Sequence, residues 1–312
     1  MKKGSKWEKI KAYLAINRFE FTPVSEGIII SFMVLGAATW KELVTWPVLL
    51  TFLTYNVATY WGGAINVYFD YEFDRKSPTK KRLPEAIDLV GKKKVRNMLV
   101  AEAVLFLAMG GVLAYITGKF ILPLLLLAGT FFTIAYSVEP LRFKKRGFLN
   151  SLSLFLIIMF LPPLFGWYTV RETMQAPAFL MFLGLALVQY GNGLYYTTAD
   201  YTEDKNDNIR TPSVLMGVIR SVRVSMLLVL AGFLCLLAGY SHYGNAIGLV
   251  VIAAGQAFGF YGMAVLLYAA HKDDAEMERI IKKNEMIIPA WVAVSAFSVL
   301  IACLLRGWVS VW

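Results

Sequence analysis

The sequence predicts an all-α integral membrane protein, with nine transmembrane helices around a central cavity and a cytoplasmic N-terminus. Three observations predict it. The 312 residues are 58% hydrophobic and only 17% charged, less charge than a soluble domain carries. Apolar runs approaching the roughly 20 residues that a bilayer helix needs recur along the whole chain. The lysines and arginines fall almost entirely on one side of the resulting spans.

Taken in order, the N-terminal MKKGSKWEKIKAYLAINRF is basic, but no apolar core of signal-peptide type follows it directly. Trp7, Ile10 and Leu14 share one side of a helix, which describes an amphipathic segment lying in the membrane interface. Spans follow at about 24–40, 46–66, 97–117, 120–138, 151–170, 178–199, 222–240, 246–270 and 286–308. The second contains YNVATYWGGAINVYF, a polar and small-residue mixture that suits a helix facing a protein cavity rather than lipid. Pro162-Pro163 predicts a kink in the fifth. Residues 1–312 read as a single domain. It is made of two similar four-helix halves, about 24–138 and 151–270, and a last helix at 286–308.

The N-terminus and the loops after even-numbered spans hold 27 of the 31 lysines and arginines. Lys41, Lys119, Arg171 and Arg306 make up the other side. The positive-inside rule makes the basic side cytoplasmic, and the reading is a multi-pass protein of the plasma membrane with its site toward the cytoplasm. Cys235 and Cys303 lie in apolar runs without a CxxC partner, and His242 and His271 lie in connections. This excludes a zinc ribbon, a disulfide framework and a histidine-based metal centre. Membrane lipid is the partner the composition implies; neither nucleic acid nor an obligate protein partner is indicated.

Two acidic clusters carry the chemistry. Asn66, Asp70 and Asp74 recur at four-residue intervals at the end of span two, and Asp200 and Asp204 repeat that interval at the end of span six. Residues i and i+4 share a helix face, and both spans end on the same side. Carboxylates so crowded repel unless something positive lies between them. Hard oxygen ligands without histidine or thiolate point to Mg²⁺, which keeps waters and bridges one or two carboxylates to substrate phosphates. The metal set is then Asp70, Asp74, Asp200, Asp204 and Asn66. Arg75, Lys80, Lys81 and Arg82 follow the first cluster, and Lys205 and Arg210 the second; phosphate oxygens that the metal leaves free need such donors.

The motifs NVYFDYEFD, RKSPTKKRLPEA, YSVEPLRFKKRG and DYTED followed by IRTPSVLMG resemble those of the UbiA family of intramembrane prenyltransferases, by topology over the whole chain and by motif over about 45 residues. Val67 departs from the pattern, standing where the family often has an acid. In YSVEPLRFKKRG, Pro140 takes the place where some members have lysine, and Lys144 or Arg142 is left to bind the diphosphate. The resemblance implies Mg²⁺-dependent transfer of an isoprenyl group from a polyprenyl diphosphate, such as geranylgeranyl diphosphate, to a lipophilic acceptor in membrane lipid or quinone biosynthesis. Magnesium and bases would neutralise the leaving diphosphate, and aromatic faces would stabilise the allylic cation. Tyr136 is taken with Asp70, Asp74, Asp200, Asp204 and Asn66 into the catalytic set, and Tyr68, Tyr195 and Tyr196 are further aromatic candidates. A CDP-alcohol phosphotransferase is the alternative enzyme, but the D-G-x-x-A-R run it needs is missing. A cation-coupled transporter would place its acids nearer the bilayer midplane.

Overall fold

The structure, a computed structural model, describes residues 5–76, 81–206, 209–270, 273–284 and 287–306. Its helices, in chain order, are α1 (Lys6–Ile16), α2 (Thr22–Gly36), α3 (Trp46–Asp74), α4 (Arg82–Val90), α5 (Lys92–Thr117), α6 (Ile121–Ser137), α7 (Phe148–Val170), α8 (Ala176–Thr197), α9 (Tyr201–Asn206), α10 (Pro212–Met216), α11 (Val218–Ser241), α12 (Ala246–Ala270), α13 (Asp274–Lys283) and α14 (Ile287–Leu305). Among the described residues the β pairing is a single parallel bridge between Arg146 and Arg210.

Each expected span coincides with one of these helices. Five helical stretches among the described residues are long and apolar enough to cross a membrane: α5, α7, α8 with the turns after it, α11 and α12 as far as Val265. Ser25–Gly36, Ile121–Ser137 and Ala290–Leu305 are shorter apolar helices. At 29 residues α3 is long, but its middle is polar. Thr51 and Asn56 are buried against protein, and the Thr51 hydroxyl lies 2.9 Å from that of Thr169 on α7. The outward faces carry exposed apolar side chains, such as Val104, Leu124, Leu227 and Val250, as a lipid-facing surface does.

Local chemistry sets the helix ends. Gly118, left-handed at φ +68°, stops α5. In α7 a π turn over Phe155–Phe160 runs into Pro162-Pro163. The prolines supply no N–H to the carbonyls four residues back, so the ladder widens there. Ser5 opens α1 with a reciprocal capping box to Glu8. Trp7, Ile10 and Leu14 do share an exposed face of α1, while Ala12, Ala15 and Ile16 are buried on the other.

Four buried clusters join the helices. One ties α1 and α4 to α3 and α5 through Ile16, Ile65, Ile87 and Phe106. Another joins the end of α8 to α11, α13 and α14 through Tyr195, Val222, Ile281 and Trp291. The tightest helix pair is α8 with α11, where glycines face each other. A Cβ on Gly184 would lie 2.7 Å from the Gly232 carbonyl, and one on Gly232 2.5 Å from that of Gly184. Gly184→Leu is expected to cost at least the ~1–3 kcal/mol of an overpacked core, read as a lower thermal midpoint in detergent.

Candidate active site

The first acidic motif lies within α3, which runs unbroken past the expected end of span two. Asn66, Asp70 and Asp74 therefore share one helix face, as the spacing predicts. Val67 points the other way, 2% exposed within the cluster formed with α1, α4 and α5. Its apolar character is explained by core packing.

The loop between α6 and α7 reaches over to this face. Lys144 donates to the Asn66 amide oxygen at 3.1 Å and forms an ion pair with Asp70. Arg142 Nη2 lies 3.2 Å from the same Asp70 oxygen. Ser137, at the end of α6, donates to Asn66 at 3.3 Å. The three charged side chains are only 13–16% exposed, so water screens them weakly. Burial draws the Lys144 ammonium below the ordinary lysine value, opposed by Asp70 and, less, by Asp74, with Arg142 adding to the lowering. Arg142 Nε is buried and has no acceptor among the described residues.

Several contacts hold this loop in place. The Asn150 amide donates to the Lys144 carbonyl at 2.7 Å, and the Gly147 N–H to the Arg210 carbonyl at 2.5 Å. Gly147 has φ +59°, and a Cβ there would come within 3.0 Å of Leu215, so a side chain meets both backbone strain and a neighbour. Through this contact the loop after α6 is tied to the loop after α8, which carries the second motif.

That motif is not a continuous α-helix. Asp200 closes a 3₁₀ turn, Thr198–Asp200, and Asp204 sits on α9. The hydroxyls of Thr197 and Thr198 bond back to the carbonyls of Leu194 and Tyr195, a local competition that tightens the helix end. Tyr136, in the last turn of α6, is close enough to both Asp70 and Asp204 to feel their charges. Of the other tyrosines, Tyr195 is fully buried against Trp291, and Tyr68 packs on Phe69 with Lys92 over its ring.

The remaining bases are spread more widely. Arg75 donates to the Tyr71 hydroxyl at 2.9 Å, and Tyr71 donates to Asp88 at 2.6 Å. Lys81 and Arg82 are at the exposed start of α4, and Lys205 lies over the Tyr201 ring. Arg210 lines a cavity of 830 Å³ with Lys145, Arg146, Phe148 and Tyr190. Lys80 lies outside the described residues. Ser137 and Gly147 belong to the YSVEPLRFKKRG motif without having been given a role there, and Asn150 lies outside every motif.

Among the described residues no three carboxylate, thiol or imidazole groups converge closely enough to hold a metal by themselves. Magnesium does not require that: one or two carboxylates, waters and substrate phosphates suffice. The hard oxygens of Asp70, Asp74, Asp200 and Asp204 fit that demand, and the orphaned Arg142 donor fits an anion beside them.

Known proteins share this architecture. Lycopene elongase/hydratase of Corynebacterium glutamicum is 28% identical over 179 residues, 57% of this chain and 60% of that protein. This chain thus matches less than two thirds of that relative's length. A protein of the same name from Haloarcula japonica is 25% identical over 233 residues, 73% of each chain. A digeranylgeranylglyceryl phosphate synthase structure superposes with a TM-score of 0.67 at 21% identity, covering 95% of this chain and 99% of that one. A UbiA homolog from Archaeoglobus fulgidus, bound to DMAPP and Mg²⁺, does so at 0.62 and 16% identity, covering 92% and 98%. These two likenesses show a common fold. The model of the UbiA prenyltransferase family matches residues 28–284, most of the chain, and the protein belongs to that family.

Proposed function

We propose that this protein transfers an isoprenyl group from a prenyl diphosphate to a hydrophobic acceptor, with Mg²⁺ as cofactor. The observation that carries the reading is the convergence of Lys144 and Arg142 on Asp70, with Asn66 accepting from the same Lys144. In the reaction the allylic C–O bond breaks and its electron pair leaves with the diphosphate; a π pair of a polyene acceptor forms a new C–C bond, or a hydroxyl oxygen of a lipid phosphate forms a new C–O bond, and the acceptor then gives up a proton to the released diphosphate or to water. When bound, Mg²⁺ offsets the charge gathering on the leaving group. The chain's own residues do the rest. Asp70 fixes Lys144 and Arg142 at the diphosphate, Arg142 Nε donates to one of its oxygens, and Asn66 orients Lys144. The Tyr136 ring faces the carbon that becomes cationic, and the apolar helices keep out the water that would quench it.

The matched sequences are named for lycopene, so a polyene hydrocarbon is the first acceptor to test. A lipid phosphate such as geranylgeranylglyceryl phosphate is the second reading, favoured by the superposition over 95% of the chain. Nine spans, a cytoplasmic N-terminus and a plasma-membrane site facing the cytoplasm belong to the same reading, supported by the one-sided bases.

Purified protein in nanodiscs, with Mg²⁺ and dimethylallyl or geranylgeranyl diphosphate, should be given lycopene, geranylgeranylglyceryl phosphate and dihydroxynaphthoate in parallel. A prenylated product by mass is expected with one of them. No product with any acceptor, and no diphosphate release that Asp70→Ala abolishes, would overturn the reading.

A further inference from the structure

The connection between α12 and α14 has no role in the site described so far, yet it contains a buried carboxylate. Glu278 on α13 is 6% exposed. It accepts the Thr202 N–H at 3.0 Å and also the Thr202 hydroxyl. Thr202 sits midway between Asp200 and Asp204. Glu278 therefore grips the segment between the two aspartates by both the backbone and the side chain of its middle residue.

The grip is itself built. Met277 and Ile281, one residue before Glu278 and three after it, are fully buried among Tyr195, Val222 and Trp291. The Asp274 carboxylate accepts the Ile219 N–H at 2.8 Å, fastening the start of α13 to the start of α11. Lys282 lies 3.5 Å from Glu278 and 3.6 Å from Glu203, joining the two segments a second time. A buried carboxylate needs such donors, because its desolvation is otherwise uncompensated.

We propose that Glu278 is a positioning residue for the second acidic motif: through Thr202 it fixes the orientation of Asp200 and Asp204 toward the metal and diphosphate. This rests on the function proposed above. Partners behind a metal ligand typically govern ~10–100-fold of metal affinity.

The test uses full-length protein in nanodiscs and an unreactive prenyl thiolodiphosphate, whose binding is titrated calorimetrically against Mg²⁺. Glu278→Ala is expected to raise the Mg²⁺ concentration for half-maximal binding about 10- to 100-fold. Glu278→Gln, which keeps an acceptor oxygen, should lose less. Thr202→Val should lose several-fold and Thr202→Ser should match the wild type. Arg279→Gln, on the exposed side of α13, should leave the titration unchanged. If Glu278→Ala does not fold, Thr202→Val and Glu278→Gln decide. Wild-type Mg²⁺ dependence in folded variants would overturn the positioning role alone. Absence of Mg²⁺-dependent binding in the wild type would overturn the functional reading and this one with it.

Discussion

Asp70→Asn is expected to lower prenyl transfer by about 10³-fold, near the loss that follows removal of one electrostatic group from a preorganised site. Asp70 is the acid on which Lys144 and Arg142 both converge. With the carboxylate gone, Lys144 loses its ion pair and Arg142 keeps only the exposed Glu139, 3.2 Å away, so stability should fall as well, by up to the ~3–5 kcal/mol of a broken buried pair. The two effects can be separated. Asp70→Asn combined with Lys144→Met removes that unpaired ammonium and should recover much of the thermal midpoint, while transfer stays at the level of the single variant. Radiolabelled turnover and thermal unfolding on all four proteins complete the cycle. Activity that rises with stability to the level of Lys144→Met alone would mean that Asp70 serves the fold and not the chemistry.

Lys144→Met alone is expected to lower kcat/KM by about 10²-fold, the cost of losing a charged donor to the diphosphate. Most of the loss should appear in KM if Lys144 holds substrate and transition state alike, and in kcat if its contact tightens as charge develops. Lys144→Arg should not restore the wild-type rate. The planar guanidinium cannot reproduce an ammonium that meets both Asn66 and Asp70. Steady-state kinetics in the prenyl diphosphate, at saturating acceptor, separates these outcomes.

Much of this site was legible in the sequence because its signals are local. The Asn66–Asp70–Asp74 spacing is a statement about one helix, and α3 fulfils it. Apolar run length marked the places of the long helices for the same reason, although α3 extends two turns past its predicted end. Sequence left open which base, Arg142 or Lys144, replaces the lysine displaced by Pro140, and the structure puts both on Asp70. Spacing also failed to show that Arg75 turns to Tyr71 and Asp88, or that Val67 faces a core. Each depends on what a separate helix brings alongside. The Glu278–Thr202 contact spans 76 positions, and no periodicity in either segment announces it. The 3₁₀ turn before α9 was hidden differently: threonine hydroxyls overrode a helical spacing that was otherwise correct.

The length of α3 bears on how a substrate arrives. Its 29 residues rise about 44 Å, against a hydrocarbon layer of about 30 Å. The acids occupy its final turns, so in the topology proposed above they would stand at the depth of lipid headgroups and not among acyl chains. An amphiphile lying in the leaflet with its diphosphate among the headgroups already has that depth. On that topology it would reach Asp70 by sliding sideways, tail in oil and head in water, and no phosphate would have to be dragged into hydrocarbon along the way.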